Sequence, residues 1–387
     1  MLRVIGLLLL AFVHSKPSSR RRLSYAQLAR LTAADGAPNL HFGYSVATSG
    51  DNVAVGAYSE DAAGAVYVLR ASDGAELAKL TPKDPDAEDG FGASVAIEGS
   101  TVVVGAIRAG TSGAVYVFRT DDPADNYGEI KVAPELTGGD PRFGSAVAIS
   151  GEAQRIAVAA DGEDDGRGAV HVYDFDLNFV KTLTAAAAAA HDEFGTSVAI
   201  FKGIVVVGTY FKESAYVFRG PDYDDPVALT AADGETGFGR AVAVDGDRVV
   251  VGAPGGEAAH VFTTPDGWNT ATPDYTDTKL VATDATAGDE FGSSVAVRGD
   301  AVVVGAVGDD DTGGSQLGSA YAFRTTDGGV TFEEIKITSD DDDAGDEFGH
   351  SVAIDGDTVV VGGAGAAYAY KLSPAPAPAP APAPTPR

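Results

Sequence analysis

The chain has 387 residues, no cysteine, and 27 Lys plus Arg against 56 Asp plus Glu, for a net charge of -29. Disulfides and Cys-ligated zinc are excluded, and so strong an acidic balance repels nucleic acid and anionic lipid while favouring cations or basic partners. Length alone would allow two domains, but an internal repeat over almost the whole chain argues for one closed unit.

In chain order, residues 1–15 ("MLRVIGLLLLAFVHS") set Arg3 ahead of an apolar run from Val4 to Val13 and read as a signal peptide cleaved after Ser15. The run is too short for a bilayer span, so the expectation is a secreted or cell-surface protein with no transmembrane segment. Residues 16–26 form a lead. From residue 27 to 372 one pattern returns seven times, as in "DGFGASVAIEGSTVVVGA" and "DEFGSSVAVRGDAVVVGA". Its markers are Phe42, Phe91, Phe143, Phe194, Phe238, Phe291 and Phe348, each followed by Gly, at spacings of 49, 52, 51, 44, 53 and 57 residues. Periods of this size indicate propellers or solenoids, whose units bury their apolar faces only against each other.

Within a repeat the apolar period is two. Residues 76–119 contain four short runs, "ELAKL", "GASVAI", "TVVVGA" and "AVYVFR", separated by Gly, Asp, Pro and Ser. They read as an outer strand d followed by strands a, b and c of the next blade. Two- or three-residue turns such as "EGS", "DGD" and "RGD" join a to b as tight hairpins. Arg298-Gly299-Asp300, an adhesion tripeptide in other settings, is one of these turns. Strand c carries Tyr67, Tyr116, His171, Tyr216, His260, Tyr321 and Tyr368 at one equivalent place, which makes His171 and His260 substitutes for Tyr rather than ligands. The first strand, "QLARLT", is of type d and the last, "AAYAYKL", of type c. Pairing of Gln27–Leu31 with Ala367–Lys371 would close the ring in the seventh blade and leave no free edge. The fold class is therefore all-β, a seven-bladed β-propeller of four-stranded antiparallel blades. Residues 373–387 ("SPAPAPAPAPAPTPR") form a stiff Pro/Ala stalk.

At "FGxSVA", "VVVGA" and "GxxYVF" the sequence resembles the FG-GAP repeat family, the seven-bladed propeller also found at the head of integrin α chains. The resemblance implies an extracellular interaction module, often adhesive and often calcium-bound. It departs from the integrin pattern in one respect, because the a-to-b connections here are too short to supply the six to eight oxygens that calcium needs. The family's calcium residues are not carried over.

The d-to-a and b-to-c connections emerge together on one face of the disc and carry 30 acidic residues against five basic ones, a net of -25. Each d-to-a loop is read as opening with Thr: Thr32, Thr81, Thr137, Thr184, Thr230, Thr283 and Thr338. Surface charge of this kind keeps a secreted protein soluble. The competing reading is a cation-binding surface, with Asp309, Asp310, Asp311, Asp340, Asp341, Asp342, Asp343, Asp346 and Glu347 as calcium candidates. No Cys or His falls in a nucleophile pattern, so no enzyme is expected, although a carboxylate pair of glycosidase type could lie among so many acids. Trp268 lies in a c-to-d loop, where it covers a blade or offers a carbohydrate-stacking ring. The function expected is adhesion or binding of a protein or carbohydrate ligand through the acidic face by a monomeric propeller. The alternatives are a carbohydrate-active or other hydrolase propeller and a structural surface protein.

Overall fold

The computed structural model describes residues 23–35, 41–58, 63–85, 89–121, 127–186, 188–268, 270, 272–310, 317–325, 327–339 and 347–374. The signal peptide, most of the lead and the Pro/Ala stalk lie outside the described residues. Among the described residues twenty-eight strands form seven separate four-stranded antiparallel sheets. Blade 1 is typical, with strand a Phe42–Ser49, b Asn52–Ala57, c Ala65–Arg70 and d Glu76–Leu80. Blades 2 to 6 follow over residues 91–132, 143–183, 194–229, 242–280 and 291–337. Blade 7 has Ser351–Asp355, Thr358–Gly363 and Ala366–Pro374 as a to c, and Leu23–Leu31 as its outer strand. Successive a strands touch one another around the whole ring, so they line the axis. Among the described residues no helix is long and apolar enough to cross a membrane.

At the closing seam the N-terminal strand starts at Leu23, four residues earlier than the sequence suggests, and pairs up to Pro374. Its register sets Gln27 opposite Tyr370 and Leu31 opposite Ala367, with a bulge between Gln27 and Ala29. Buried Leu23 and Leu31 anchor the two ends of this strand.

The Phe-Gly pair has a specific geometry. In all seven blades the amide two residues beyond the Phe donates to the carbonyl of the residue before it, from Tyr44 to His41 (3.0 Å) through to His350 to Glu347 (2.9 Å). The third residue of such a turn needs positive φ, which Gly supplies, from +90° at Gly92 to +106° at Gly195. The turn interrupts the a–b ladder, so that register jumps from Phe42↔Ala57 to Ser45↔Gly56. Each Phe is driven inward against the strand-c aromatic, with ring centroids 5.3 to 5.7 Å apart in every blade. His171 and His260 fill the Tyr place in blades 3 and 5.

Neighbouring blades meet on glycine. The Gly of "VVVGA" in blade 2, Gly105, faces the carbonyl of Gly144 in blade 3, and a Cβ on Gly105 would lie 2.1 Å from that oxygen. The Ser94 hydroxyl donates to the same carbonyl at 2.7 Å. The same bond joins Ser45 to Gly92, Ser197 to Gly239, Ser294 to Gly349 and Ser351 to Gly43. Blades 3 and 5 lack this bond, with Ala146 and Ala241 in the Ser place, and blade 3 also replaces the Gly, with Ala159.

Candidate functional site

On the acidic face, the d-to-a loops are built around a recurring latch. Strand d ends in a buried apolar residue such as Leu31, Leu80, Leu229 or Leu280, and four residues later stands an acid: Asp35, Asp84, Asp233 or Asp284. Asp84 accepts from the Tyr116 hydroxyl (3.1 Å) and from the Lys131 ammonium (2.6 Å), while that ammonium lies 5.1 Å from the Tyr116 ring centroid. Asp35 is held alike by Tyr67 (3.1 Å) and Lys79 (2.8 Å), and Asp284 by Tyr321 (2.9 Å) and Lys336 (2.9 Å). Lysine hydrogen bonds hold Asp35, Asp84 and Asp233 below the usual carboxylate range. Burial pushes Asp284 up, but Lys336 and Tyr321 outweigh it. Burial, with the neighbouring Asp84, pushes Tyr116 up to about 12. In blade 5 the residue in the place of Thr32 is Val281, with Thr283 two positions inside the loop, because strand d ends at Leu280.

These latches change the charge of the face. Lys79, Lys131, Lys279 and Lys336 sit on the outer strands, where a loop-only count omits them, yet their ammonium groups reach the loop acids. The calcium candidates divide accordingly. Asp309 is buried and takes the Tyr321 hydroxyl at 2.6 Å and Lys336 at 2.7 Å, so an ammonium already sits on it. Asp310 is exposed, and Glu347 stands 3.5 Å from His350. Asp311, Asp340, Asp341, Asp342, Asp343 and Asp346 lie outside the described residues. Among the described residues the side chains that converge with metal-ligand geometry are Asp233, Glu235 and His260. Lys279 contacts both carboxylates of that group, and His260 is held between Glu235 (2.6 Å) and Asp277 (2.9 Å). The sequence missed it because Glu235 and His260 are 25 residues apart.

The symmetry breaks at the axial mouth. The turn around Phe-Gly sets two residues per blade there, one before the Phe and one after the Gly. The first is His41, Gly90, Arg142, Glu193, Gly237, Glu290 or Glu347, each at positive φ. Five of the seven are non-glycine residues in a conformation that costs them roughly 1–2 kcal/mol each, and such strain concentrates at functional sites. Between blades 7 and 1, rings gather: Tyr44 lies 4.5 Å from His350 and 4.7 Å from Tyr58, and His41 lies 4.4 Å from Tyr58. Burial lowers the His350 pKa and raises that of Tyr44. Between blades 3 and 4, Arg142 bridges Asp161 (3.1 Å) and Glu193 (3.3 Å). Burial, opposed by Arg142 and reinforced by Glu193, pushes Asp161 up to about 6. A cleft of about 500 Å³ opens beside this sector among the blade 3 loops, next to Glu163, Arg167 and Thr182.

The tripeptide Arg298-Gly299-Asp300 lies on the opposite face and is committed to the scaffold. Arg298 pairs with Asp245 and Asp355 of the two flanking blades, the Gly299 amide donates to Asp245 at 2.6 Å, and Asp300 pairs with Arg324. Trp268 is fully buried, its indole N–H donating to the Asp247 carbonyl at 3.1 Å, so it offers no exposed stacking ring.

A family model described as FG-GAP repeat matches residues 25–69, 71–118, 177–218, 224–262, 276–323 and 331–370. The unmatched stretch, 119–176, holds strands a to c of blade 3, where the Ser–Gly pair is replaced and the a-to-b hairpin is longer. A solved structure titled "Streptogramin B lyase structure" is similar with a TM-score of 0.64 at 10% identity, over 92% of this chain and 100% of that one, a likeness of fold alone. No curated protein matches the chain.

Proposed function

The chain belongs to the FG-GAP repeat family, and on that premise we propose that it is an extracellular interaction module that binds a protein or carbohydrate ligand through its acidic loop face. The observation that carries the reading is the mouth, where equivalent positions of a regular repeat hold unlike side chains: rings between blades 7 and 1, an Arg-bridged acid pair between blades 3 and 4. Scaffold positions repeat because packing is the same in every blade, and functional residues are grafted where it is not. Divalent cations act through the exposed acids of the blade 6 and 7 loops, Asp310 and Glu347 with the neighbouring acids, since Lys279 and Lys336 already serve the inner carboxylates.

The test is a thermal melt of the full chain with millimolar calcium, with magnesium, and with chelator at matched ionic strength, beside ligand binding on glycan and matrix-protein arrays under the same conditions. A calcium-specific rise supports cation-assisted binding. Equal shifts with both ions mean screening of surface charge, which leaves ligand binding to the mouth residues alone. One arrangement favours a hydrolase as the second reading: the buried Asp161, whose pKa burial pushes up to about 6, shares the Arg142 guanidinium with Glu193 at the mouth. Glycan hydrolysis that Asp161→Asn abolishes would decide for it.

A further inference from the structure

The face opposite the acidic loops has a cleft of about 760 Å³ between blades 4 and 5. That is a common size for a small-molecule site. Its walls are the a-to-b hairpins at Lys202–Gly203 and Gly246–Asp247, the hairpin Gly299 of blade 6, and the turn Pro265–Trp268. Arg219 and Arg248 line it from the ends of adjacent blades.

These two arginines differ from the cations of the acidic face, which rest on carboxylates. Arg219 Nη2 donates to the Asp225 carbonyl at 2.6 Å, and Arg248 Nη1 donates to the Gly299 carbonyl, so both acceptors are neutral. Arg219 Nη1 and Arg248 Nε are shielded from solvent and have no hydrogen-bond partner among the described residues. Buried charged donors without acceptors are costly, and each one in a native fold requires an explanation. The lining acids are engaged elsewhere. Asp245 accepts from the Gly299 amide and Arg298, and Asp266 accepts from the Trp268 amide (3.0 Å) and the Thr270 hydroxyl (2.7 Å). The lining holds three cations, Lys202, Arg219 and Arg248, and three carboxylates, Asp245, Asp247 and Asp266, a balanced set in a chain whose net charge is -29, and Lys202 at the rim pairs outward with Glu152 at 3.3 Å.

We propose that this cleft binds a small ligand bearing an oxyanion, a carboxylate or a sulfate or phosphate ester, clamped by Arg219 and Arg248 beside the half-buried ring of Phe201. A guanidinium fork matches such groups with paired N–H donors, and the Phe201 ring offers an apolar surface to the carbon skeleton that carries them. The site is separate from the loop face and stands whether or not that face binds its own ligand.

The chain carries one tryptophan, Trp268, and it lines this cleft. Indole fluorescence of the full chain is therefore a local reporter. Inorganic sulfate, inorganic phosphate and glucuronate are titrated against glucose and against chloride at equal ionic strength, with calorimetry on the same series to detect binding that leaves the indole unchanged. The expected result is saturable binding of at least one oxyanion and none of glucose or chloride, with the order of affinities identifying the preferred group. Arg219→Gln is expected to weaken it at least tenfold. Arg219→Lys, which keeps the charge and loses the fork, is expected to restore it only in part. Lys202→Gln, an exposed change that spares the fold, is expected to weaken it severalfold with an unchanged melting temperature. Absence of saturation with all three oxyanions, an equal response to chloride, or undiminished affinity in a folded Arg219→Gln variant overturns the proposal.

Discussion

Blade 3 has already made the substitution that tests how the blades adhere. In blade 2, Ser94 donates to the Gly144 carbonyl at 2.7 Å, and Gly105 leaves room for that carbonyl; a Cβ on Gly105 would lie 2.1 Å from the carbonyl oxygen and 2.3 Å from Ser94 Oγ. Gly105→Ala therefore costs about 1–3 kcal/mol for overpacking and about 1 kcal/mol more for the displaced hydrogen bond, roughly 3 kcal/mol in all. Ser94→Ala alone costs about 1 kcal/mol. If the two changes were independent, the double variant would lose roughly 4 kcal/mol, the sum of these losses. It should instead lose about 2–3 kcal/mol, because the methyl enters the space the hydroxyl leaves, which is the pairing of Ala146 with Ala159 in blade 3. There the facing Gly195 has turned to φ +106°, the widest of the seven. Urea unfolding of the wild type, both single variants and the double variant measures the coupling. Additivity within about 0.5 kcal/mol would refute the claim that hydroxyl and glycine share one inter-blade space.

Deleting residues 23–31 opens the seam in blade 7, so the melting temperature should fall far more than for deletion of the stalk; equal melting of the two truncations would contradict closure. Asp84 has a folded pKa below its ordinary 3.8, so its contribution is present above about pH 4 and is lost as pH falls through the folded value. Lys131→Met should therefore reduce stability at neutral pH, by no more than about 1 kcal/mol for so exposed a pair, and should flatten the acid limb of the stability curve. Asp161 runs the other way: its folded pKa is raised to about 6, so the native state loses stability as pH climbs from about 4 to about 6 and stays level above. Asp161→Asn should remove that slope, at most roughly 3 kcal/mol, as read from denaturation midpoints at pH 4, 5, 6 and 7.

The scaffold was legible because its determinants are local. Alternating apolar residues specify strands, Gly at the hairpins specifies turns, and Phe-Gly marks a turn that only Gly completes, so the strand order and the d-type start against the c-type end could be read directly. The N-terminal strand extends four residues beyond its repeat pattern because "LSYA" precedes the repeat and has no counterpart in it; only its partner, the end of strand c, identifies it.

Sequence also placed the acidic loops on one face, but not what the acids do there. Asp84 and Lys131 are 47 residues apart, and Asp233 and Glu235 stand 46 and 44 residues before Lys279. Each such pair joins a loop to a lysine of the following outer strand, so its two partners fall at unlike places in the repeat. The mouth cluster, the Arg142 bridge and the cleft under Arg219 and Arg248 are likewise meetings of adjacent blades. A periodic pattern fixes which residues face inward within one blade. What stands across the gap is decided by the angle at which neighbouring blades close around the axis, and that angle exists only once all seven sheets are packed.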